Sequence, residues 1–226
     1  MATALIYDIH GHLPALEAVV ADAAADRYVL GGDYALFGPW PAETVAALRA
    51  LPDAIWIRGN VDRWTGAPAQ APDNGVVQEA IAACRGQLGD QVVAELSALP
   101  EQVVLDGTRY CHASPISDLR SFMPEPADDE QELLAGVDDQ RLVFGHTHLP
   151  FRRLSESGIE LVNPGSVGMP FDRDPRAAYA LLRDDGSIEH RRVAYDFEAS
   201  AAALRERFGG AAWTDTIARR ISTASL

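Results

Sequence analysis

Five of the chain's six histidines fall in three short motifs that also carry carboxylates. Asp8-Ile9-His10-Gly11-His12 closes the first apolar run, His112 closes the run 103–111, and Gly145-His146-Thr147-His148 closes the run 142–144. Gly32-Asp33 and Gly59-Asn60-Val61-Asp62 lie between the first and second motifs, each directly after an apolar run. Imidazoles, carboxylates and one amide gathered at strand ends are what a site for two divalent metals requires. Asp8 and His10 are two residues apart, as are His146 and His148, so a continuing strand would put each pair on one face. Asp33 and Asn60 follow strands that reach the same sheet edge, where open α/β sheets place their ligands. Glycines at 11, 32, 59 and 145 are expected to keep bulk away from a substrate and to permit unusual backbone angles. Each element alone is a weak signal; five of them, all at strand ends, point to a site.

The elements that must position these residues begin with a βαβαβ pattern: strand 2–8, helix 13–25, strand 27–31, helix 41–50 and strand 54–58. Leu13, Leu16, Val19 and Val20 have the spacing of a helix packed on a sheet, and Pro14 and Pro41 sit in first helical turns. Parallel strands are therefore expected. Residues 64–100 read as a helical insertion, with one helix starting at 76–81 and a second over 90–99. Short β runs follow at 102–106, 109–112, 141–145, 159–162, 177–183 and 188–194, with Asp106-Gly107 and Asp185-Gly186 as hairpin turns. Residues 115–140, rich in proline and acid, read as a solvated surface excursion with a short helix. Helices at 198–208 and 213–221 end the pattern. One domain over residues 1–226 accommodates all of this.

Composition narrows the function classes. The net charge of −14 argues against a scaffold for a nucleic-acid polymer, although bound dications would make a phosphate site locally positive. All 19 basic residues are arginine, which excludes Schiff-base chemistry and a P-loop. Cys84 and Cys111 lack framework or metal-knuckle spacing and read as reduced, partly buried thiols. No apolar stretch is long enough to span a bilayer, and no basic leader precedes the first strand, so no membrane partner and a cytoplasmic location are expected.

The motif order, with Gly32-Asp33-Tyr34-Ala35-Leu36-Phe37-Gly38-Pro39, His112-Ala113-Ser114-Pro115, Asn163-Pro164-Gly165-Ser166-Val167-Gly168 and the tail motifs 178–182 and 192–196, resembles the calcineurin-like metallophosphoesterase superfamily. Within it the likeness is to the small bacterial phosphodiesterase-type branch, over almost the whole chain. The resemblance implies an α/β fold, a four-layer α-β-β-α sandwich of two mixed sheets flanked by helices. It implies that Asp8, His10 and His148 hold one metal, that Asn60, His112 and His146 hold the other, and that Asp33 bridges them. The ions, Mn²⁺ foremost with Fe, Zn²⁺ or Ni²⁺ as alternatives, would share a water, lower its pKa and aim it at phosphorus. The implied substrate is a small phosphodiester or phosphomonoester, the diester foremost.

Two positions depart from the family pattern. Many relatives carry histidine where this chain has Val61, and His12 stands where the branch often has Asn. His12 is therefore expected to face the substrate and supply part of the missing proton donor. Asp62 is grouped with it at the catalytic site, as support for a ligand imidazole or a cap for the next turn. Arg58, with Asn60, is expected to bind substrate, and Arg63 either grips phosphate or pairs with a carboxylate. Phe37, Trp40 and Trp64 could wall the site or simply pack its rim. His190 lies apart from the motifs. The rival readings are a protein-binding scaffold on the same fold and, fitting poorly with the acidic charge, a nuclease. Association of like copies is left open.

Overall fold

The computed structural model describes residues 2–226. The first sheet is built on β1 (Ala2–Ile6), β2 (Arg27–Leu30) and β3 (Ala54–Trp56), joined by α1 (Leu13–Ala23) and α2 (Pro41–Arg49). All three strands are parallel, as the βαβαβ pattern requires. After β3 come α3 (Asn60–Gly66), a 3₁₀ turn (Pro68–Gln70) and α4 (Gly75–Ser97). Gly89 in α4 sits at φ 74° and ψ 158°, so the two helices expected over this insertion are present as segments of one kinked element.

The second sheet contains β4 (Gln102–Leu105), β5 (Thr108–Cys111), β6 (Arg141–Val143), β7 (Phe151–Leu154) and β8 (Glu160–Asn163). Short α5 (Glu130–Leu133) precedes β6. β9 (Ala177–Arg183) and β10 (Ile188–Val193) return to the first sheet, and α6 (Phe197–Phe208) and α7 (Ala212–Thr223) close the helical layer. The strand orders are β10-β9-β1-β2-β3 and β4-β5-β6-β8-β7. In the second sheet β5, β6 and β8 are parallel, and β4 and β7 run against them at the edges.

Period-two alternation builds the layers. In β1, Ala4 and Ile6 face the helical side while Leu5, and Tyr7 just beyond the strand, enter the space between the sheets with Val29, Tyr110, Val143 and Val162. In the second sheet, Cys111, Leu142 and Leu161 point outward, against Phe122, Leu133 and Leu134. The fold is thus the expected four-layer sandwich, with six helices over one sheet and a thin outer layer over the other. That outer layer corrects one expectation. The 115–140 segment is anchored by buried Phe122, Leu133 and Leu134 rather than solvated throughout. β7, which the sequence pattern did not mark, forms the far edge of the second sheet.

Candidate metal centre

The C-terminal ends of the parallel strands of both sheets lead into the motifs. Asp8 and His10 follow β1, Asp33 follows β2, and Asn60 opens α3 after β3. His112 follows β5, and His146 and His148 follow β6. Six of these seven residues are at most 4% exposed, and His146 is half-buried. Two donor clusters form, Asp8 with His10 and His148, and Asp8 with Asp33 and His112.

The backbone route to this cluster differs from the expected one. β1 ends at Ile6 and β6 at Val143, so neither histidine pair continues its strand. Asp8, His10, Asp33, His146 and His148 instead adopt left-handed φ of 52–67°. Asp and His are among the non-glycine residues that tolerate this region best, though it costs of order ~1–2 kcal/mol per residue. Alternating left-handed residues, not a period-two strand, turn each pair inward. Gly59 and Gly145 do not provide these angles; they make room for ligands. A Cβ at Gly59 would meet Asp33 Oδ1 at 2.1 Å, and one at Gly145 would meet Asp8 Oδ2 at 2.4 Å.

Backbone carbonyls orient the imidazoles. His10 Nδ1 donates to Leu36 O at 3.0 Å, His112 Nδ1 to Gly31 O at 2.8 Å, and His148 Nδ1 to Met169 O. Each Nε2 then turns its lone pair into the cluster. His10 Nε2 and His148 Nε2 lie 3.2 Å apart, and His112 Nε2 is 2.9 Å from Asn60 Oδ1. His146 approaches the same Asn60 oxygen through Nδ1, also at 2.9 Å. Lone pairs aimed at one another repel unless a cation stands between them. Asp8 Oδ1 is buried with no hydrogen-bond partner, 3.4 Å from His148 Nε2 and 4.0 Å from His112 Nε2. Asp33 Oδ2 lies 3.4 Å from His112 Nε2 and 3.8 Å from His10 Nε2, between the two histidine groups. These residues therefore fit divalent ions chemically.

The field in the cluster is strongly polarised. Burial holds the His10 and His146 imidazoles down at about 4, helped at His10 by His148 and at His146 by His112. Burial would lower His112 as well, but the charge of Asp33, its hydrogen bond and the charge of Asp8 raise it to about 10. Burial opposes ionisation of Asp33, yet His112, His10 and His146 keep its carboxyl well below the usual range. A proton on His112 occupies the position a metal dication would take.

Two expected catalytic residues are placed differently. Asp62 reaches no imidazole and takes the other expected role, capping the turn that opens α3. Its carboxylate accepts backbone N–H bonds from Gly59 at 2.8 Å, Asp33 at 2.9 Å and Tyr34 at 3.2 Å. It is a positioning residue that ties the Asp33 and Asn60 loops together. Burial and then the Asp33 charge push its carboxyl up to about 7, while the three N–H donors pull the other way. His12 precedes α1, is fully buried, and has no partner at either ring nitrogen. Burial and then His10 hold it down to about 3. Its ring packs where a Cβ on Gly168 would fall, not at an open face, which does not match a substrate-facing donor. Val61 packs into the apolar cluster of the helical side, together with Phe37 and Trp64. Trp64 therefore serves the apolar packing, whereas Phe37 also lies against the His10 ring, 5.9 Å between centroids.

Arg58 pairs with Glu101 and donates to Ser97 O at 3.2 Å, while lining a cleft beside His112. Arg63 pairs with Asp118, the expected alternative to gripping phosphate. The buttress on residues 163–169 carried no assigned role in the sequence. Asn163 Nδ2 donates to Gly145 O and Thr147 Oγ1, both at 3.0 Å, and Ser166 Oγ donates to Asp8 O at 2.7 Å. The Asn-Pro-Gly-Ser run after a strand was the available signal. His190 donates through Nε2 to Asn163 O at 2.8 Å, behind this buttress.

A two-sheet α/β sandwich with such a donor cluster at its strand ends has the architecture of the metallophosphoesterases. The crystal structure of a metallophosphoesterase from Sphaerobacter thermophilus aligns with a TM-score of 0.85 at 28% identity, covering 99% of each chain. Residues 1–186 match the calcineurin-like phosphoesterase superfamily domain, and the chain belongs to that superfamily. It is 31% identical over 189 residues to phosphodiesterase YfcE of Escherichia coli K12, covering 79% of this chain and 85% of that one. It is also 28% identical over 221 residues to protein MJ0912 of Methanocaldococcus jannaschii, covering 86% and 88%. No helix among the described residues is long and apolar enough to cross a membrane.

Proposed function

We propose that the chain is a phosphoesterase dependent on two divalent ions, Mn²⁺ foremost, that hydrolyses a small phosphodiester in preference to a monoester. The observation that carries this reading is the set of buried donors with no proton to share: facing Nε2 atoms of His10 and His148, and unpartnered Asp8 Oδ1. Asp8, His10 and His148 would hold one ion, Asn60, His112 and His146 the other, and Asp33 would lie between. When bound, the ions supply Lewis acidity toward the phosphoryl oxygens and an activated water. The chain's own part is preorganisation. Gly31, Leu36 and Met169 carbonyls fix the ring tautomers, and Asp62 and Ser166 fix the two aspartate loops. Burial keeps bulk water from the donors, which strengthens every charge interaction in the site.

The named phosphodiesterase relative supports the diester preference. Neither Val61 nor buried His12 is placed to protonate a leaving group, so esters with good leaving groups should be favoured, general-acid help being worth ~10²–10⁴-fold. A scaffold function is disfavoured because all seven donor positions are filled. The test is metal content and turnover of purified protein loaded with Mn²⁺, on bis(p-nitrophenyl) phosphate and p-nitrophenyl phosphate. Two ions per chain and faster diester cleavage are expected. Absence of hydrolysis of both esters by protein that holds its ions would overturn the proposal.

A further inference from the structure

A cleft of about 240 Å³ opens directly beside His112, between the start of α3 and the loop that follows β5. Its wall contains two guanidinium groups, and both are ion-paired. Arg63 spends Nε and Nη2 on the two oxygens of Asp118, at 2.6 and 2.8 Å, and Nη1 on Gln70 Oε1 at 2.8 Å. Arg58 is paired with Glu101 and bonded to Ser97 O; its remaining Nε has no partner but is buried out of a ligand's reach. The cleft is therefore self-neutralised, and a second phosphate entering it would have to break an existing ion pair. Glu101 and Asp118 still offer carboxylate lone pairs, since each ion can accept about four hydrogen bonds. Hydroxyl donors fit such a wall. Ile116, 50% exposed, supplies an apolar side suited to carbon-bound hydrogens. Apart from the His112 imidazole the lining contains no aromatic ring on which a nucleobase could stack. The volume lies below the ~300–1,000 Å³ of pockets for drug-sized ligands, enough for a fragment of a few carbons.

We propose that this cleft is the alcohol subsite of the enzyme, and that the substrate carries a small uncharged polyol on the scissile phosphate rather than a nucleoside or a polyphosphate chain. The inference rests on the phosphoesterase reading and narrows its substrate. The Mn²⁺-loaded protein is assayed on glycerophosphoglycerol, a dinucleoside monophosphate and a dinucleoside tetraphosphate, with bis(p-nitrophenyl) phosphate as the activated reference. The polyol diester is expected to show the highest kcat/KM of the three unactivated substrates, by about tenfold or more, the usual scale of pocket discrimination. Ile116→Trp fills the cleft from an exposed position and is expected to raise KM for the polyol diester by about tenfold. Inhibition by inorganic phosphate, which needs only the metal centre, should stay within about twofold of wild type under the same reasoning. Cleavage of the activated reference together with a preference for either nucleotide, or with an unchanged polyol KM in Ile116→Trp, overturns the inference and leaves the phosphoesterase reading standing. No cleavage of any ester removes both.

Discussion

Replacing Asp62 tests whether this buried carboxylate positions the site or takes part in proton transfer. It receives three backbone N–H groups, from Gly59, Asp33 and Tyr34, and is 2% exposed. Asp62→Ala leaves three buried donors without an acceptor, at ~1–3 kcal/mol each. A water entering the space left by the carboxyl recovers part of this, so a loss of about 3–5 kcal/mol is expected. For a chain of this size that lowers Tm by roughly 6–20 °C. Asp62→Asn keeps one oxygen, which can face Gly59 and Asp33, but sets an NH₂ group against the Tyr34 N–H. Relief of the buried charge offsets part of that clash, so the amide should cost about 2 kcal/mol. Both variants loosen the Asp33 loop, and the bound metal should fall below two ions per chain. Calorimetry of the metal-free protein and elemental analysis of the dialysed, Mn²⁺-loaded protein read the two effects separately. An Asp62→Asn protein with wild-type Tm and full metal content, but kcat down by ~10²-fold or more and one limb of its pH profile gone, would refute the argument and make Asp62 a proton-transfer group.

Three further outcomes are expected. Gly145→Ala puts a Cβ 2.4 Å from Asp8 Oδ2, so it should displace Asp8 and reduce metal content and turnover together, whereas Gly86→Ala, where nothing lies within 4 Å and φ is not left-handed, should retain both. Asn60→Ala should halve the metal content, because Asn60 meets only His112 and His146, while the group around His10 and His148 remains; elemental analysis reads the stoichiometry. Burial, followed by the Asp62 charge, pushes the Cys84 thiol up to about 12 from 9.0. A raised folded-state pKa gives stability that is complete below the unfolded value and lost as pH rises toward the folded one. Wild type should therefore lose unfolding free energy from about pH 9 upward more steeply than Cys84→Ala, and native Cys84 should resist iodoacetamide at pH 8.

The site's composition was legible in the sequence because its chemistry demands rare residue types at strand ends, and that demand survives any detail of backbone. Asp8, Asp33, Asn60, His112, His146 and His148 each announce themselves by following an apolar run. The backbone that turns them inward was not legible. A left-handed aspartate or histidine leaves no local signature, and period-two reasoning extended β1 and β6 past Ile6 and Val143. β7 was missed because its four residues, Phe-Arg-Arg-Leu, break the apolar/polar alternation: Arg153 lies on the half-buried face and Leu154 on the exposed one. The partners of Asp62 and Arg63 were hidden for a different reason: the N–H of Asp33 is 29 residues away, and Asp118 is 55 residues away. Such contacts are set by topology, which brings α3, the β2 loop and the β5 loop to one edge.

The left-handed backbone explains why so much structure surrounds so few donors. Five strained ligand residues at ~1–2 kcal/mol each would cost roughly 5–10 kcal/mol, comparable to the whole stability of a typical domain. The strain persists only because the surroundings over-determine it. The N–H groups of Asp8, His10 and Gly11 donate to Gly32, Asp33 and Tyr34 carbonyls, continuing the β1–β2 ladder beyond the strands. Ser166 Oγ and the Gly168 N–H bind the Asp8 carbonyl from the other side, and Asp8 Oδ2 itself accepts the His146 N–H at 3.0 Å. Asp8 therefore links the two sheets at the site's centre, leaving its other oxygen free among the imidazoles. The geometry is held by protein–protein bonds that do not involve the facing lone pairs. Ions arriving at such a site relieve repulsion without having to reshape the backbone, so the donors can be buried, strained and ready at once.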